Sequence, residues 1–135
     1  MQSDDRIAPV SKGRLWGGRV MSGVPCLFLL VDGAMKLMKP AVVVETTVKL
    51  GYPEGVITGL GIVLLACTAL YLVPRTAVLG AILLTGYLGG AVATHVRVGG
   101  APFEVTFPLV VGALLWGGLV LRNQRLRAML PVATA

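Results

Sequence analysis

The sequence predicts an all-α integral membrane protein, an antiparallel bundle of four transmembrane helices with a short interfacial or re-entrant segment after the first. Three observations carry this reading. The first is composition. Of 135 residues, 56% are hydrophobic, a further 18 are Gly, and only 13% are charged, about half the ~25% charged content of an ordinary soluble domain. Mean hydropathy is +0.84. A soluble enzyme domain is excluded, because so few polar groups cannot cover its surface. The same numbers exclude disorder, and two Cys exclude a disulfide scaffold. The second is charge segregation. Gly55 to Val73 and Thr76 to Thr94 each run 19 residues without a charge, and Val105 to Leu121 runs 17; a helix needs about 20 apolar residues to cross a ~30 Å hydrocarbon core. The third is turn chemistry at every break. The length implies one domain, residues 1–135.

The elements follow in order. Residues 1–14 are expected to form a tail, polar and frayed from Met1 to Lys12. It is not expected to act as a signal peptide: Asp4 and Asp5 spoil a basic n-region, and no small-residue cleavage site follows the first apolar run. Val24-Pro25-Cys26 also lacks the small residue of a lipoprotein site, so the chain is expected to stay whole in the membrane. The first span is placed at 17–35. Asp32 interrupts it, and Arg19 and Lys36 snorkel from its ends. Residues 40–50 (PAVVVETTVKL) are too short to cross and too apolar for an ordinary loop. An interfacial or re-entrant segment is expected, with a partly buried loop lid as the alternative. Its Val and Thr content lowers helix propensity.

Gly51-Tyr52-Pro53 closes that connection, and Glu54 suits the positive end of the second span, 55–73. Val73-Pro74-Arg75-Thr76 reads as a tight hairpin in which Pro stops one helix and Thr76 caps the next. The third span is 76–95, the turn Val98 to Pro102 follows, and the fourth span is 103–121. Pro108 either kinks that helix or marks where it starts. Residues 122–135 form a second tail whose Arg122, Arg125 and Arg127 make a basic stop-transfer end along the inner headgroups. Strands are the poorer reading: membrane strands alternate polar and apolar residues, and these runs are continuously apolar.

Four crossings put both termini on one side. That side holds Arg6, Lys12, Arg14, Arg19, Arg75, Arg122, Arg125 and Arg127, against Lys36, Lys39, Lys49 and Arg97 on the other. The positive-inside rule places the termini in the cytoplasm of a cell-membrane protein. The net charge of +6 is then mostly a topology signal. Nucleic acid is not expected as a partner, because the basic residues are dispersed and no soluble domain offers a groove.

The same topology gathers ionisable residues at the outer end. Asp32 and Lys36 lie there on the first helix, His95 and Arg97 on the third, and Glu104 at the start of the fourth. Tyr87 and Thr94, seven apart, share a face of the third helix. Ionisable residues near a membrane interior point to function, and a pocket for a ligand, proton or quinone built from Asp32, Lys36, Tyr87, His95, Arg97 and Glu104 is one reading. The other is structural: Asp32 and Lys36 pair at i,i+4, Glu104 complements a helix dipole, Arg97 snorkels to headgroups and His95 caps. Both stand at the level of sequence.

The remaining signals point away from chemistry. Gly86 and Gly90 form a GxxxG on the third helix, Gly55 and Gly59 another on the second, and these small faces suit helix packing or a homo-oligomer, with close approach of a ligand as the alternative. Cys26 and Cys67 lie within spans, where a thiol stays protonated and inert. One His and two separated Cys make no metal site. A haem would have His95 as its only His ligand, and no Gly-rich phosphate loop is present. Trp16 suits the interfacial belt, and Trp116 suits belt or core.

The ordered set Asp32-Gly33-Ala34-Met35-Lys36-Leu37, Leu50-Gly51-Tyr52-Pro53, Pro74-Arg75-Thr76, Gly86-Tyr87-Leu88-Gly89-Gly90-Ala91 and His95-Val96-Arg97-Val98-Gly99 resembles the DoxX-like family of small bacterial four-helix membrane proteins. The fourth helix with Trp116 and the arginine-rich end fit too, so the likeness covers roughly Arg19 to Pro131. The resemblance implies a small subunit associated with terminal quinol oxidase and thiosulfate:quinone oxidoreductase systems, or with oxidative-stress systems. With no catalytic cluster, the expectation is a non-catalytic accessory component of a membrane redox system that binds a quinone and docks a membrane redox partner. An oligomeric small-solute transporter and a helix-docking assembly protein are the alternatives. No span carries a mid-membrane charge and no inverted repeat is evident, which weighs against transport.

Overall fold

The computed structural model describes residues 11–129. The expectations for the tails therefore fall outside the described residues at 1–10 and 130–135. Among the described residues the chain is helical throughout, with no strand. Helix α1 is Lys12–Met38, α2 Ala41–Lys49, α3 Ile57–Leu72, α4 Ala77–Arg97, α5 Pro102–Arg122 and α6 Gln124–Met129. A single 3-10 turn, Glu54–Val56, leads into α3. Four of these stretches are long and apolar enough to cross a membrane: α1, Glu54–Leu72, α4 and α5.

Each spanning helix packs against its neighbours in chain order, and α1 closes the ring against α5. This is a four-helix up-and-down bundle, the arrangement that short connections between long helices favour. One end carries α2 and the α4–α5 turn and is called distal here; the other carries Ser11, the Pro74 hairpin and α6.

The helix ends are set by local chemistry. Ser11 caps α1 by accepting from Arg14 N–H at 3.2 Å, so the helix begins in what the sequence reading left as tail. Pro25 sits inside α1, where its missing N–H leaves the Met21 carbonyl without that intrahelical donor. Lys39 stops α1 in a left-handed conformation at φ 54°, with its N–H on Met35 O at 2.9 Å. Residues 41–49 are helical despite their Val and Thr content: Thr46 and Thr47 turn their hydroxyls back to Val42 O and Val43 O at 2.7 and 2.8 Å. Helix α4 ends in a Schellman motif. Gly99, at φ 71°, donates to Val96 O, and Gly100 donates to His95 O at 2.8 Å. Helix α5 starts at Pro102 and runs through Pro108, so Pro108 is an interior residue rather than the start.

Three of the four helix contacts close around a glycine. A Cβ on Gly118 would lie 2.8 Å from Gly18 O, which holds α1 to α5. A Cβ on Gly61 would lie 3.0 Å from Gly33 O, which holds α1 to α3. A Cβ on Gly80 would run into the Tyr71 backbone, which holds α4 to α3. Close backbone approach is how helices gain packing energy in lipid, where burial of apolar surface from water gives no drive. None of the four glycines of the two GxxxG patterns takes part. Gly55, Gly59, Gly86 and Gly90 each have open space where a Cβ would be.

The core of the proximal half is tied by Tyr71. Its hydroxyl donates to Leu115 O of α5 at 2.5 Å and accepts from Ser22 Oγ of α1 at 2.8 Å, so one side chain of α3 joins three helices. The Arg122 guanidinium lies 5.7 Å from the centre of its ring. Cys26 and Cys67 are buried free thiols in this core. Trp116 donates through Nε1 to Thr85 Oγ1 at 2.7 Å, a hydrogen bond between α5 and α4.

Candidate functional site

The distal half of the bundle is less tightly filled. A cavity of about 530 Å³ opens there, inside the ~300–1,000 Å³ range of small-molecule sites. Its walls come from every element around it. Helix α1 gives Phe28, Leu29, Asp32 and Lys36; α2 gives Val42, Val43, Thr46 and Thr47. Leu50, Tyr52 and Leu60 come from the following connection and α3. Helix α4 supplies Gly86, Tyr87, Leu88, Gly90, Ala91, Thr94 and His95, and α5 supplies Phe107, Pro108 and Val111.

The sequence explains why a void forms on this side. Gly86 and Gly90 put no side chain into it. Phe28 and Phe107 meet edge-on, ring centres 4.9 Å apart, and bridge α1 to α5 at its wall. Proximally, Leu29, Leu88 and Val111 are buried and form an apolar floor.

Four of the six residues singled out from sequence line the cavity: Asp32, Lys36, Tyr87 and His95. Lys36 Nζ pairs with Asp32 Oδ2 at 2.8 Å, with Lys36 only 15% exposed and Asp32 35%. A partly buried pair one helical turn apart keeps both charges compensated beside an apolar wall. The Tyr87 hydroxyl makes no hydrogen bond to a described residue and is half-buried. His95 is 20% exposed, and its Nδ1 is buried without a hydrogen-bond partner among the described residues. That atom faces Glu104 Oε2 at 3.9 Å, so a contact from the imidazole into the cavity would fall to Nε2.

The other two serve the backbone. Glu104 accepts from Ala101 N–H at 3.0 Å, the acidic half of a capping box, and stands behind His95 rather than in the cavity wall. Gly100 makes this approach feasible, because a Cβ there would lie 2.6 Å from Glu104 Oε2. Arg97 donates from Nη2 to Leu50 O at 2.6 Å and lies outside the wall. The sequence reading of Arg97 as a headgroup snorkel missed this bond, because its partner is a carbonyl 47 residues away.

Sequence reasoning also missed Tyr52, which it treated as part of a turn. Its hydroxyl reaches Thr94 Oγ1 at 2.8 Å. Thr94 spends its own proton on Gly90 O at 2.8 Å, so Tyr52 is the donor. The face shared by Tyr87 and Thr94 was the one signal available for this pair.

Chemically, the site offers an apolar chamber with an ion pair, a phenol and an imidazole in its wall, the phenol two helical turns below the imidazole on α4. Among the described residues no group of three or more His, Cys, Asp or Glu is placed to hold a metal ion. Its polar groups suit hydrogen bonding to a carbonyl or hydroxyl on an otherwise apolar molecule.

Comparison with known proteins agrees with this architecture. No curated protein and no solved structure matches the chain. A family model described as the DoxX-like family matches residues 20–118, which take in α1 from its third turn, the whole cavity and most of α5. The chain therefore belongs to the DoxX-like family, as a multi-pass membrane protein with four spanning helices.

Proposed function

We propose that this protein binds a quinone in the distal cavity as a non-catalytic accessory component of a membrane redox system. The observation that supports this is the composition of the cavity: a mainly apolar chamber whose wall also carries Asp32, Lys36, Tyr87 and His95. A quinone head has two carbonyl oxygens on a flat apolar ring. The Tyr87 hydroxyl and the Lys36 ammonium are donors for one, and His95 Nε2 is a donor for the other when it carries the proton. Phe28, Leu88 and Phe107 give the ring apolar contact. Quinone supplies the redox chemistry when bound, and the chain's own residues bind and orient it. His95, with Glu104 Oε2 3.9 Å behind its Nδ1, and the Asp32 carboxylate are the groups of the chain available to exchange a proton with the head.

The same reading places the protein in the inner membrane with its termini in the cytoplasm, on the basic-residue asymmetry. Gly55, Gly59 and Gly89, exposed and open, give a membrane redox partner or a second copy room to approach closely.

The test is purification in mild detergent, organic extraction and mass spectrometry of what co-elutes, followed by equilibrium dialysis against decylubiquinone. The expected result is one quinone per chain at saturation, with His95→Ala and Tyr87→Phe each weakening binding about tenfold, the equivalent of about 1.4 kcal/mol. A well-folded wild-type chain that retains no quinone and takes up no decylubiquinone overturns the reading.

A further inference from the structure

We infer that α2 is a hinged lid over the cavity, closed by two latches, Tyr52 to Thr94 and Arg97 to the Leu50 carbonyl, whose release admits the ligand. As an access device it rests on the binding reading above; as a hinged segment it does not.

The hinges come first. Helix α2 is bounded by left-handed backbone on both sides, Lys39 at φ 54° and Gly51 at φ 94°. Lys39 is the only non-glycine with positive φ among the described residues. Lys39 is the left-handed stop of α1, and Gly51 ends α2 in a Schellman turn, with Gly51 N–H on Val48 O at 2.9 Å and Tyr52 N–H on Thr47 O at 3.3 Å, so Tyr52 is tied to α2 and the chain turns sharply at both ends of the segment. The positive φ is what requires glycine at 51; the Arg97 guanidinium, the mobile end of a long side chain, lies beside it.

The helix between the hinges is weak. It has nine residues, rich in Val and Thr, with no side-chain cap at Pro40. Isolated helices shorter than about 12–15 residues are marginal in water even in favourable sequences. Thr47 is its only buried residue. Both of its Thr hydroxyls bond back to α2's own carbonyls, and Glu45 and Lys49 make no ion pair. Among the described residues, then, no hydrogen bond or ion pair joins α2 to a spanning helix. Yet it covers the cavity with Val42, Val43, Thr46 and Thr47.

What holds it shut lies just beyond its C-terminus. Tyr52 donates to Thr94 at 2.8 Å, and Arg97 donates to Leu50 O at 2.6 Å. Both latches end on α4, within one helical turn of each other and on either side of Gly51. Breaking two hydrogen bonds frees the segment while the four-helix ring stays packed. Elements with few buried contacts open locally well below the global unfolding free energy.

Hydrogen exchange read by mass spectrometry on the full chain in nanodiscs tests this. Amides of residues 41–50 are expected to exchange at least about tenfold faster than those of α3 and α4, and Tyr52→Phe to speed them about fivefold more without changing the spanning helices. Arg97→Gln is the second latch variant, and each removes one hydrogen bond at the distal end while leaving the glycine contacts between the spanning helices in place. Saturating decylubiquinone is expected to slow the same amides in the wild-type chain. Exchange of 41–50 as slow as in the spanning helices, or unmoved by both latch variants, overturns the lid. Fast, latch-sensitive exchange that decylubiquinone leaves untouched supports the hinged segment and overturns its use for a quinone.

Discussion

A single hydroxyl, that of Tyr71, ties together three helices that share no sequence neighbourhood, donating to Leu115 O and accepting from Ser22. Interhelical hydrogen bonds in membranes average about 0.6 kcal/mol and reach about 1.7. Tyr71→Phe removes two at once, so a loss of about 0.5–2 kcal/mol is expected, measured by reversible denaturation in mixed micelles. A double-mutant cycle with Ser22→Ala should show coupling; strict additivity would mean that the two hydroxyls act independently. At this scale the sequence was a partial guide. The Asp32–Lys36 pair was readable from its i,i+4 spacing and stands at 2.8 Å. Glu104 was readable as an acid at a helix N-terminus and stands there, on the Ala101 amide, whereas Arg97 was not readable as the partner of the Leu50 carbonyl. Tyr52 was hidden because an aromatic in a Gly-Tyr-Pro turn carries no periodicity to say which helix it meets.

The elements divide into those fixed by their own sequence and those fixed by context. The spanning helices are long apolar runs, and any such run in lipid satisfies its backbone only as a helix. Their ends follow from nearby residues, as the Schellman turn at Gly99 and Gly100 illustrates. Two substitutions separate turn glycines from helix glycines. Gly99→Ala forces a side chain into φ 71° and is expected to cost about 1 kcal/mol. Gly89→Ala meets no atom within 4 Å and is expected to be neutral or to stabilise by up to about 1 kcal/mol. Thermal unfolding in detergent compares the two; equal losses would contradict the assigned roles. Residues 41–49 are the counterexample. Their β-branched content argues against a helix, and they form one all the same, with Thr46 and Thr47 bonding back to their own helix's carbonyls and Pro40 starting it without a side-chain cap.

For the whole molecule, the eight-against-four partition of basic residues is an electrostatic statement about orientation. Labelling of intact cells with an impermeant maleimide tests it, with Cys26 and Cys67 replaced by Ser. A cysteine at Val98 is expected to react from outside, and one at Arg125 only after permeabilisation. The reverse pattern would invert the topology and put the cavity on the cytoplasmic side.

The sequence by itself determined that the chain is a four-helix membrane bundle, where its turns fall, and that its charges collect at the helix ends. These are local properties: hydrophobic length, turn chemistry and charge are written in consecutive residues. Only the tertiary structure decided which glycines pack and which polar residues share a space. Gly18, Gly33, Gly61, Gly80 and Gly118 seat the helices against one another, while Gly86 and Gly90, the more conspicuous pair in sequence, border the cavity. The physical reason is that a cavity and a helix contact depend on the relative depth and rotation of several helices. That depends on which side chains interlock across them, and no single helix's periodicity carries it.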